Sequence, residues 1–198
     1  KRTFDVVLAS LSLLICAPVL GVAAILIKLT SPGPVLFRQE RVGKDGEIFR
    51  VLKLRTMVIN AEALLATLQT QNEADGPLFK MKNDPRVTTV GRILRKLSID
   101  ELPQLWNVLK GEMSMVGPRP ERPVFIEQLE QQVPFFRQRL YVKPGVTGHA
   151  QVRCRYGASA EDMLEKLQYD LYYIKSYTLL FDLSVMFDTV KVVLLRVG

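Results

Sequence analysis

Two adjacent carboxylates, Asp100 and Glu101, are the side chains of this sequence best suited to chemistry on a phosphate. Arg95 precedes them, and a later Pro118-Arg119-Pro120 turn supplies a second arginine. One carboxylate can act as a nucleophile, its neighbour can hold a divalent cation, and guanidinium groups bind phosphate oxygens in pairs. The pattern therefore predicts a metal-assisted attack on a diphosphate.

The same acidic pair also fits a structural role at the start of a helix. Acidic side chains are favoured in the first helical turn, and Ser98-x-x-Glu101 matches a capping box. Judged on these few residues alone, a helix cap is the stronger interpretation, because short motifs often occur by chance. The rest of the chain must decide between a cap and a catalytic pair.

Composition limits the classes of function that the chain can have. Its net charge of +7 favours an anionic partner, such as nucleic acid, an acidic membrane surface or a phosphorylated substrate. Nucleic acid is disfavoured, because no reading motif or set of aromatic stacking residues accompanies the basic residues. A single histidine, His149, argues against a histidine-based metal site or a Ser-His triad. Cys16 and Cys154 are interpreted as structural residues of a protein in a reducing compartment.

The N-terminal region contains an apolar segment long enough to cross a membrane. Residues 6–27 form a run of 22 residues without a charge, and about 20 apolar residues span the hydrocarbon core as a helix. Ala17-Pro18 lies near its middle, where a proline is expected to break or kink the helix. Basic residues flank both ends, Lys1-Arg2 before the run and Lys28 after it, which places both flanks in the cytoplasm. Residues 1–30 are therefore predicted to be a re-entrant membrane helix, which enters and leaves through one leaflet.

Residues 31–198 are predicted to form a cytoplasmic catalytic domain of the α/β class, mostly helical with a small β-hairpin. Strands are expected at residues 35–37 and 48–54, around a glycine-containing turn at 43–46. Because residue 1 is Lys and not Met, the chain is expected to be part of a longer protein. Helices are predicted at residues 60–71, 90–97, 98–110 and 123–138 (the last interrupted near Pro134), with a loop at 72–86 and a turn at 144–148.

The C-terminal region is predicted to form amphipathic helices. Residues 179–197 are strongly apolar but contain charges such as Asp182 and Asp188, so they form either a core helix or an interfacial helix. Ser159-x-x-Asp162 fits a helix cap. A stripe at helical spacing after this cap favours core packing and consists of Met163, Leu164, Leu167, Leu171 and Ile174.

Basic residues gather around the acidic pair in the sequence. A solvated surface would explain any one of them, but several that converge on two carboxylates favour phosphate binding. These residues are Lys53 and Arg55 after a strand, Lys80 and Lys82 in the long loop, and Arg92, Arg95 and Lys96 before the acidic pair.

Several long motifs and their order along the chain resemble the bacterial sugar transferase family. Its members are the monotopic polyprenyl-phosphate phosphoglycosyl transferases, and the resemblance is to their exopolysaccharide-type branch. The resemblance covers almost the whole chain. The motifs are Lys53-Leu54-Arg55-Thr56-Met57, the segment from Arg95 to Gly111 that contains Asp100-Glu101-Leu102-Pro103-Gln104-Leu105, Met113-Ser114-Met115-Val116-Gly117-Pro118-Arg119-Pro120 and Lys143-Pro144-Gly145-Val146-Thr147-Gly148.

The resemblance implies a membrane enzyme (EC 2.7.8.-) that moves a sugar-1-phosphate from a UDP-sugar to undecaprenyl phosphate and releases UMP. The reaction would begin exopolysaccharide or O-antigen-type glycan synthesis at the cytoplasmic face of the bacterial inner membrane, next to phospholipid. The implied site has Asp100 as the nucleophile that forms a covalent phosphosugar intermediate, and Glu101 as a ligand of Mg²⁺. The residues implied to bind substrate are Lys53, Arg55, Arg95, Pro118, Arg119 and Pro120, and the implied break in the membrane helix is at Ala17-Pro18.

The chain departs from the family pattern after the Gly148 turn. His149 stands where a tryptophan is common and is predicted to be a packed turn residue, and residues 151–157 also differ. The sugar and the oligomeric state, a homodimer included, stay open. Two other classes of function compete with the transferase: a catalytically silent membrane scaffold, and a membrane phosphatase or lipid kinase that would also gather Mg²⁺ and arginines.

Overall fold

The computed structural model describes residues 1–68, 81, 83–154 and 160–195. The chain is mostly helical with small sheets, as predicted. Short 3-10 helices cover Lys44–Gly46, Ile99–Glu101 and Phe136–Tyr141. The helices are α1 (Arg2–Thr30), α2 (Ala61–Leu68), α3 (Thr89–Lys96), α4 (Gln104–Lys110), α5 (Pro123–Gln132), α6 (His149–Arg153), α7 (Ala160–Ser176) and α8 (Leu179–Leu195), and the strands are β1 (Leu36–Val42), β2 (Ile48–Leu54), β3 (Ser114–Val116) and β4 (Gly145–Thr147).

The predicted hairpin is confirmed, and its first strand is longer than predicted. β1 pairs antiparallel with β2, from Leu36 opposite Leu54 to Val42 opposite Ile48. The strand continues past the predicted end at residue 37 because each later residue still has a partner across the hairpin. Asp45 at the turn has a φ of 56°, a left-handed conformation that aspartate tolerates better than most residues.

A second sheet replaces the turn predicted at residues 144–148, and that prediction was wrong. β3 and β4 pair in parallel, with Ser114 opposite Gly145 and Val116 opposite Thr147. A side chain on Gly145 would overlap the backbone nitrogen of Gly117, so glycine is required for this close approach. The sheet fixes the chain directly before the Pro118-Arg119-Pro120 turn.

Helix α1 packs lengthwise on the domain through one stripe of its surface. Asp5 and Ala9 are buried near its N-terminal end, and Ala23 and Ile27 near its C-terminal end. Residues four apart lie on one face of a helix, and the step from Ala9 to Ala23 makes about four turns, so both pairs lie on the same side at two separate levels. The outward side exposes many large apolar side chains, among them Val7, Leu11, Leu14, Ile15, Val22, Ile25 and Leu29.

The same helix is, among the described residues, the one long and apolar enough to cross a membrane, and only 11% of its most apolar window is buried. Ala17 and Pro18 lie inside a continuous helical element, so the predicted break does not end the helix. A proline removes a single hydrogen bond of the helix, and the flanking turns can stay helical on both sides of it.

The C-terminal helices combine core residues with an exposed apolar face. The predicted stripe on α7 is buried at Met163 and Leu167, whereas Leu164 is exposed. On α8, Val185 and Asp182 are buried. The predicted cap at Ser159, the last residues of the helix predicted at 60–71 and most of the loop predicted at 72–86 lie outside the described residues. The exposed large apolar side chains of α8 are Leu179, Leu180, Leu183, Phe187, Val190 and Val193.

Candidate active site

Glu101 lies between two cations that come from distant parts of the chain. Lys53 Nζ, at the end of β2, donates to Glu101 Oε1 at 2.7 Å. Arg119 Nη2 donates to the same oxygen at 2.8 Å, and Arg119 Nη1 donates to Oε2 at 3.3 Å. The structure therefore brings together three of the residues predicted to form the site.

The predicted capping box at Ser98 is wrong. Ser98 has a left-handed backbone with a φ of 55° and its side chain caps no helix. Glu101 would have completed the box, but its carboxylate accepts hydrogen bonds from Lys53 and Arg119 instead. The helix predicted at 98–110 is accordingly a 3-10 turn at Ile99–Glu101 followed by α4, with Pro103, which lacks an N–H group, at the junction.

The two cations keep Glu101 ionised. Burial by itself raises the pKa of Glu101, but Arg119 and Lys53 outweigh burial and hold the pKa well below its usual value. Burial lowers the pKa of Lys53, while Glu101 opposes that change. The three side chains are half-buried, so water screens their mutual attraction less than on an open surface.

Asp100 differs from its neighbour in environment and in the direction of its pKa shift. The residue is buried, and burial together with the adjacent Glu101 raises the pKa of its carboxyl group, against the opposing effect of Lys53 and Arg95. A buried carboxylate is poorly solvated, so its pKa is raised and it is more basic than the carboxylate of an exposed aspartate. Two neighbouring acids with opposite pKa shifts are suited to different tasks, one as a nucleophile and one as a fixed anion.

Arg95 approaches the acidic pair from α3 and is exposed. Its Nε donates to Thr56 Oγ1 at 2.8 Å, which directs the side chain toward the end of β2. Helix α3 reaches this position because Gly91 packs directly on the backbone of Thr56, where any side chain would overlap the Thr56 carbonyl. Among the described residues, no hydrogen bond is found to either Nη atom of Arg95, and these atoms could therefore bind an anion.

Arg55, predicted to bind substrate, makes no hydrogen bond or ion pair with the acidic pair among the described residues. It is buried, and its guanidinium group donates to the backbone carbonyls of Ser31 (2.9 Å) and Pro32. These carbonyls belong to the turn that follows α1. In this structure Arg55 therefore attaches the end of the apolar helix to the domain. Lys80 and Lys82, also predicted to face the pair, lie outside the described residues.

The Pro118-Arg119-Pro120 turn is held through each of its three carbonyl groups. Gly145 N donates to Pro118 O at 2.9 Å, Arg139 Nη2 to Arg119 O at 3.0 Å, and Arg41 Nη1 to Pro120 O at 3.0 Å. Arg139 is itself paired with the buried Asp170 of α7 at 2.8 Å. Fixing the backbone in this way directs the Arg119 side chain toward Glu101.

Gln151, on α6, is a member of this cluster that sequence analysis did not single out as a site residue. Its Oε1 accepts a hydrogen bond from Arg119 Nη1 at 3.2 Å, beside the contact with Glu101. The signal that could have identified it was the departure of residues 151–157 from the family pattern. His149 is packed, as predicted, with its ring 5.0 Å from that of Phe181 and 5.3 Å from that of Tyr169, but it is the first residue of α6 and not a turn residue.

The two carboxylates would suit a magnesium ion held mainly by substrate. Mg²⁺ usually binds through one or two carboxylates together with phosphate oxygens and water. Glu101 Oε2 is held loosely, by Arg119 at 3.3 Å, and Asp100 adds a second carboxylate next to it. Within the described part of the chain, no group of three or more His, Cys, Asp or Glu side chains could hold a metal alone.

A sequence profile described as Bacterial sugar transferase matches residues 1–196. The chain belongs to the bacterial sugar transferase family. The resemblance inferred from the motifs is thereby confirmed, and the clustered Lys53, Glu101 and Arg119 are residues of a bacterial sugar transferase.

Relatives of this sugar transferase include enzymes with different sugars in their names. A UDP-N-acetylgalactosamine-undecaprenyl-phosphate N-acetylgalactosaminephosphotransferase of Aeromonas hydrophila is 43% identical over 198 residues, which are 100% of this chain and 44% of that protein. A UDP-glucose:undecaprenyl-phosphate glucose-1-phosphate transferase of Escherichia coli K12 is 44% identical over 96% of this chain and 39% of its own length. One of the same name from Caulobacter vibrioides is 44% identical over 96% of this chain and 68% of its own. The chain thus spans less than half the length of the first two relatives.

Proposed function

We propose that this chain is the catalytic part of a phosphoglycosyl transferase that moves a sugar-1-phosphate from a UDP-sugar to undecaprenyl phosphate and releases UMP. The observation that carries the proposal is the convergence of Lys53 and Arg119 on Glu101, directly beside the buried Asp100. The names of the relatives support the two substrates. The reaction would be the first membrane step of exopolysaccharide or O-antigen-type glycan synthesis.

In the first step the Asp100 carboxylate attacks the sugar-bearing phosphorus of the UDP-sugar. An oxygen–phosphorus bond forms to Asp100, the bond between the two phosphates breaks, and UMP leaves with the electron pair. Lys53, Arg95 and Arg119 bind the phosphate oxygens and offset the negative charge that develops on them. A carboxylate nucleophile needs no partner base, which suits a chain with a single histidine.

In the second step an oxygen of undecaprenyl phosphate attacks the same phosphorus. The bond to Asp100 breaks, the carboxylate is regenerated, and the sugar leaves as an undecaprenyl diphosphate sugar. Dividing the transfer into two displacements lets one set of cations serve the donor and then the acceptor, so the two anionic substrates never occupy the site together.

Glu101, with help from Asp100, would hold Mg²⁺, which would neutralise charge on the diphosphate when bound. Arg119 and Lys53 would then be shared between Glu101 and the phosphates. The expectation is that chelation of divalent cations abolishes transfer and that added Mg²⁺ restores it.

The enzyme is proposed to be monotopic at the cytoplasmic face of the inner membrane, with both ends of α1 on one side. Lys1 Nζ pairs with Asp182 at 2.6 Å at one end of the helix, and Ala23 and Ile27 pack with Leu54 and other core residues at the other end. Because one domain contacts both ends, a domain outside the bilayer would keep both ends outside it. The exposed faces of α1 and α8 would then contact phospholipid.

Cysteine labelling tests this topology. The variants Lys1→Cys and Glu40→Cys, each in a chain with Cys16 and Cys154 replaced by serine, are exposed to a reagent that cannot cross the membrane. Both positions should be labelled only after the membrane has been permeabilised, so that the reagent reaches its cytoplasmic side. Labelling of the two positions from opposite sides would contradict a re-entrant helix.

Radiolabel transfer tests the reaction itself. The full-length protein in membranes receives a UDP-sugar labelled in the sugar, and the label should pass to undecaprenyl phosphate with UMP as the second product. Asp100→Asn should abolish both the transfer of label and the release of UMP. A scaffold would transfer no label, and a phosphatase or a lipid kinase would yield free phosphate or ADP instead of UMP. Because the relatives carry different sugar names, a panel of UDP-sugars is needed to assign the donor.

A further inference from the structure

Asn107, on α4, makes hydrogen bonds that no step of the proposed reaction uses. Its side chain is fully buried. Its Oδ1 accepts a hydrogen bond from Leu52 N at 3.0 Å, and its Nδ2 donates to Arg50 O at 2.8 Å. Nδ2 also donates to Glu112 Oε2 at 2.7 Å. Both N–H groups and the carbonyl oxygen of the amide are therefore bonded.

The two backbone contacts lie along the free edge of β2. In a strand, the N–H and C=O groups of residues two apart face the same side, so Arg50 O and Leu52 N belong to the edge opposite to β1. The amide of Asn107 pairs with this edge as a third strand would, through one donor and one acceptor. Because the side chain is short and fully bonded, it fixes the distance between α4 and β2.

The two elements joined by Asn107 carry the two halves of the site. Lys53 follows Leu52 on β2, whereas Asp100 and Glu101 lie in the turn that leads into α4. We propose that Asn107 is a positioning residue, which holds β2 against α4 so that Lys53 Nζ reaches Glu101 and the substrate phosphate. The inference rests on the proposed function, because the place of Lys53 matters to catalysis only if the site binds phosphate.

The orientation of the amide follows from its neighbours. Oδ1 faces an N–H group and Nδ2 faces two oxygens, and the reversed amide would oppose like groups at all three contacts. Asn107→Asp has the same shape, keeps an acceptor for Leu52 N and loses the donor to Arg50 O. It also brings a carboxylate against Glu112. This variant therefore removes one strand contact with little change in volume.

The first measurement is the turnover of Asn107→Asp in the full-length protein, held in phospholipid nanodiscs. We expect kcat for sugar-phosphate transfer to fall about 100-fold, because misplacing a catalytic group by about 1 Å has an effect of that size. Val108→Ala is the matched control, since Val108 is the next residue of α4, is fully buried and is apolar. It should lower the melting temperature and leave kcat within about twofold of the wild type.

A second variant separates positioning from stability. Asn107→Asp combined with Glu112→Gln removes the repulsion between carboxylates, and the introduced amide can donate to the new aspartate. Arg50 O still lacks its donor. The melting temperature should recover while kcat stays low. Recovery of kcat together with the melting temperature would overturn the inference and leave Asn107 with a role in stability alone.

A double-mutant cycle asks whether Asn107 acts through Lys53. In a chain that already carries Lys53→Met, adding Asn107→Asp should lower kcat no more than about twofold. A full 100-fold loss in that background would contradict the inference. UMP binding, followed by calorimetry, needs no turnover and should weaken as much in Asn107→Asp as in Lys53→Met. A wild type that binds UMP but transfers nothing would instead count against the proposed function, and unchanged UMP affinity in Asn107→Asp would count against its positioning role.

Discussion

Glu101 accepts a fork of two hydrogen bonds from Arg119, from Nη2 to Oε1 at 2.8 Å and from Nη1 to Oε2 at 3.3 Å. Lys53 approaches the same Oε1 at 2.7 Å. A protein carboxylate thus occupies the cations that a diphosphate would require. In the proposed reaction the substrate phosphates would therefore compete with Glu101 for Lys53 and Arg119, which would come to be shared between them.

Glu101→Gln should bind UMP more tightly than the wild type when divalent cations are chelated. The substitution removes the negative charge that competes with phosphate for Lys53 and Arg119. We expect a gain of about tenfold in affinity, which corresponds to ~1.4 kcal/mol. Isothermal titration calorimetry in the presence of EDTA measures it.

Glu121→Gln is the matched control for that measurement. Glu121 pairs with Arg41 at 3.5 Å, close to the same turn, and makes no ion pair with Lys53 or Arg119 among the described residues. Its affinity for UMP should equal that of the wild type. Weaker binding by Glu101→Gln than by this control would show that Glu101 does not compete with phosphate.

Arg55 and Arg119 should respond differently to substitution, although both were predicted to bind substrate. Arg119→Lys loses the forked geometry and should raise KM for the UDP-sugar about tenfold. Arg55→Met removes the donors to Ser31 O and Pro32 O, so it should lower stability by ~1–3 kcal/mol and leave KM unchanged. Steady-state kinetics and thermal unfolding of both variants separate the two roles. A higher KM in Arg55→Met would place Arg55 in the substrate site.

Gly91→Ala should displace α3 and with it Arg95. The added methyl group would overlap the Thr56 carbonyl, and overpacking of this kind costs ~1–3 kcal/mol. Both the melting temperature and kcat/KM should fall. Gly21→Ala is the control, because the space around Gly21 is open for a methyl group. Equal activity of the two variants would mean that the packing of α3 on Thr56 does not position Arg95.

Stability should fall on the acid side of neutrality because of His149. Burial, and next Arg153, lower the pKa of His149 below its usual value of 6.5, against the opposing effect of Asp188. The folded state therefore favours the neutral ring, so its stabilising effect is complete above pH 6.5 and is lost as pH falls through the lower, folded-state pKa. Melting temperatures between pH 8 and 5 should decline less steeply for His149→Phe. Parallel curves for the two proteins would contradict this origin.

Which residues gather at the candidate site could be predicted from sequence better than the contacts that they make there. Asp100 and Glu101 were singled out as an acidic pair, and the family resemblance implied the roles of Lys53 and Arg119. The structure brings Lys53 and Arg119 onto Glu101, and the roles themselves stay predictions. The capping box failed because the partners of Glu101 lie far away in the chain, where a local pattern carries no information. Arg55 lies directly after β2, where the strand no longer fixes the direction of the side chain. The elements packed around it determine that direction, and sequence alone does not show which elements these are.

The missed sheet and the continuous α1 both depend on structure that local sequence rules do not describe. β3 and β4 are three residues long, and the glycines in and directly after β4 indicate a turn by local rules. Only the pairing of the two segments identifies them as strands. Pro18 indicates a break by local rules, yet the apolar turns on each side of it remain helical. In both cases the context of the folded chain determines the outcome.

The most direct test of the central claim is the intact mass of the protein after incubation with a UDP-sugar and Mg²⁺ in the absence of undecaprenyl phosphate. The account predicts a mass increase equal to one sugar phosphate, located on Asp100 by peptide mapping, together with one equivalent of UMP. Added undecaprenyl phosphate should remove the adduct. Transfer of sugar phosphate to lipid by Asp100→Asn, or UMP release without an adduct on Asp100, would contradict the covalent mechanism.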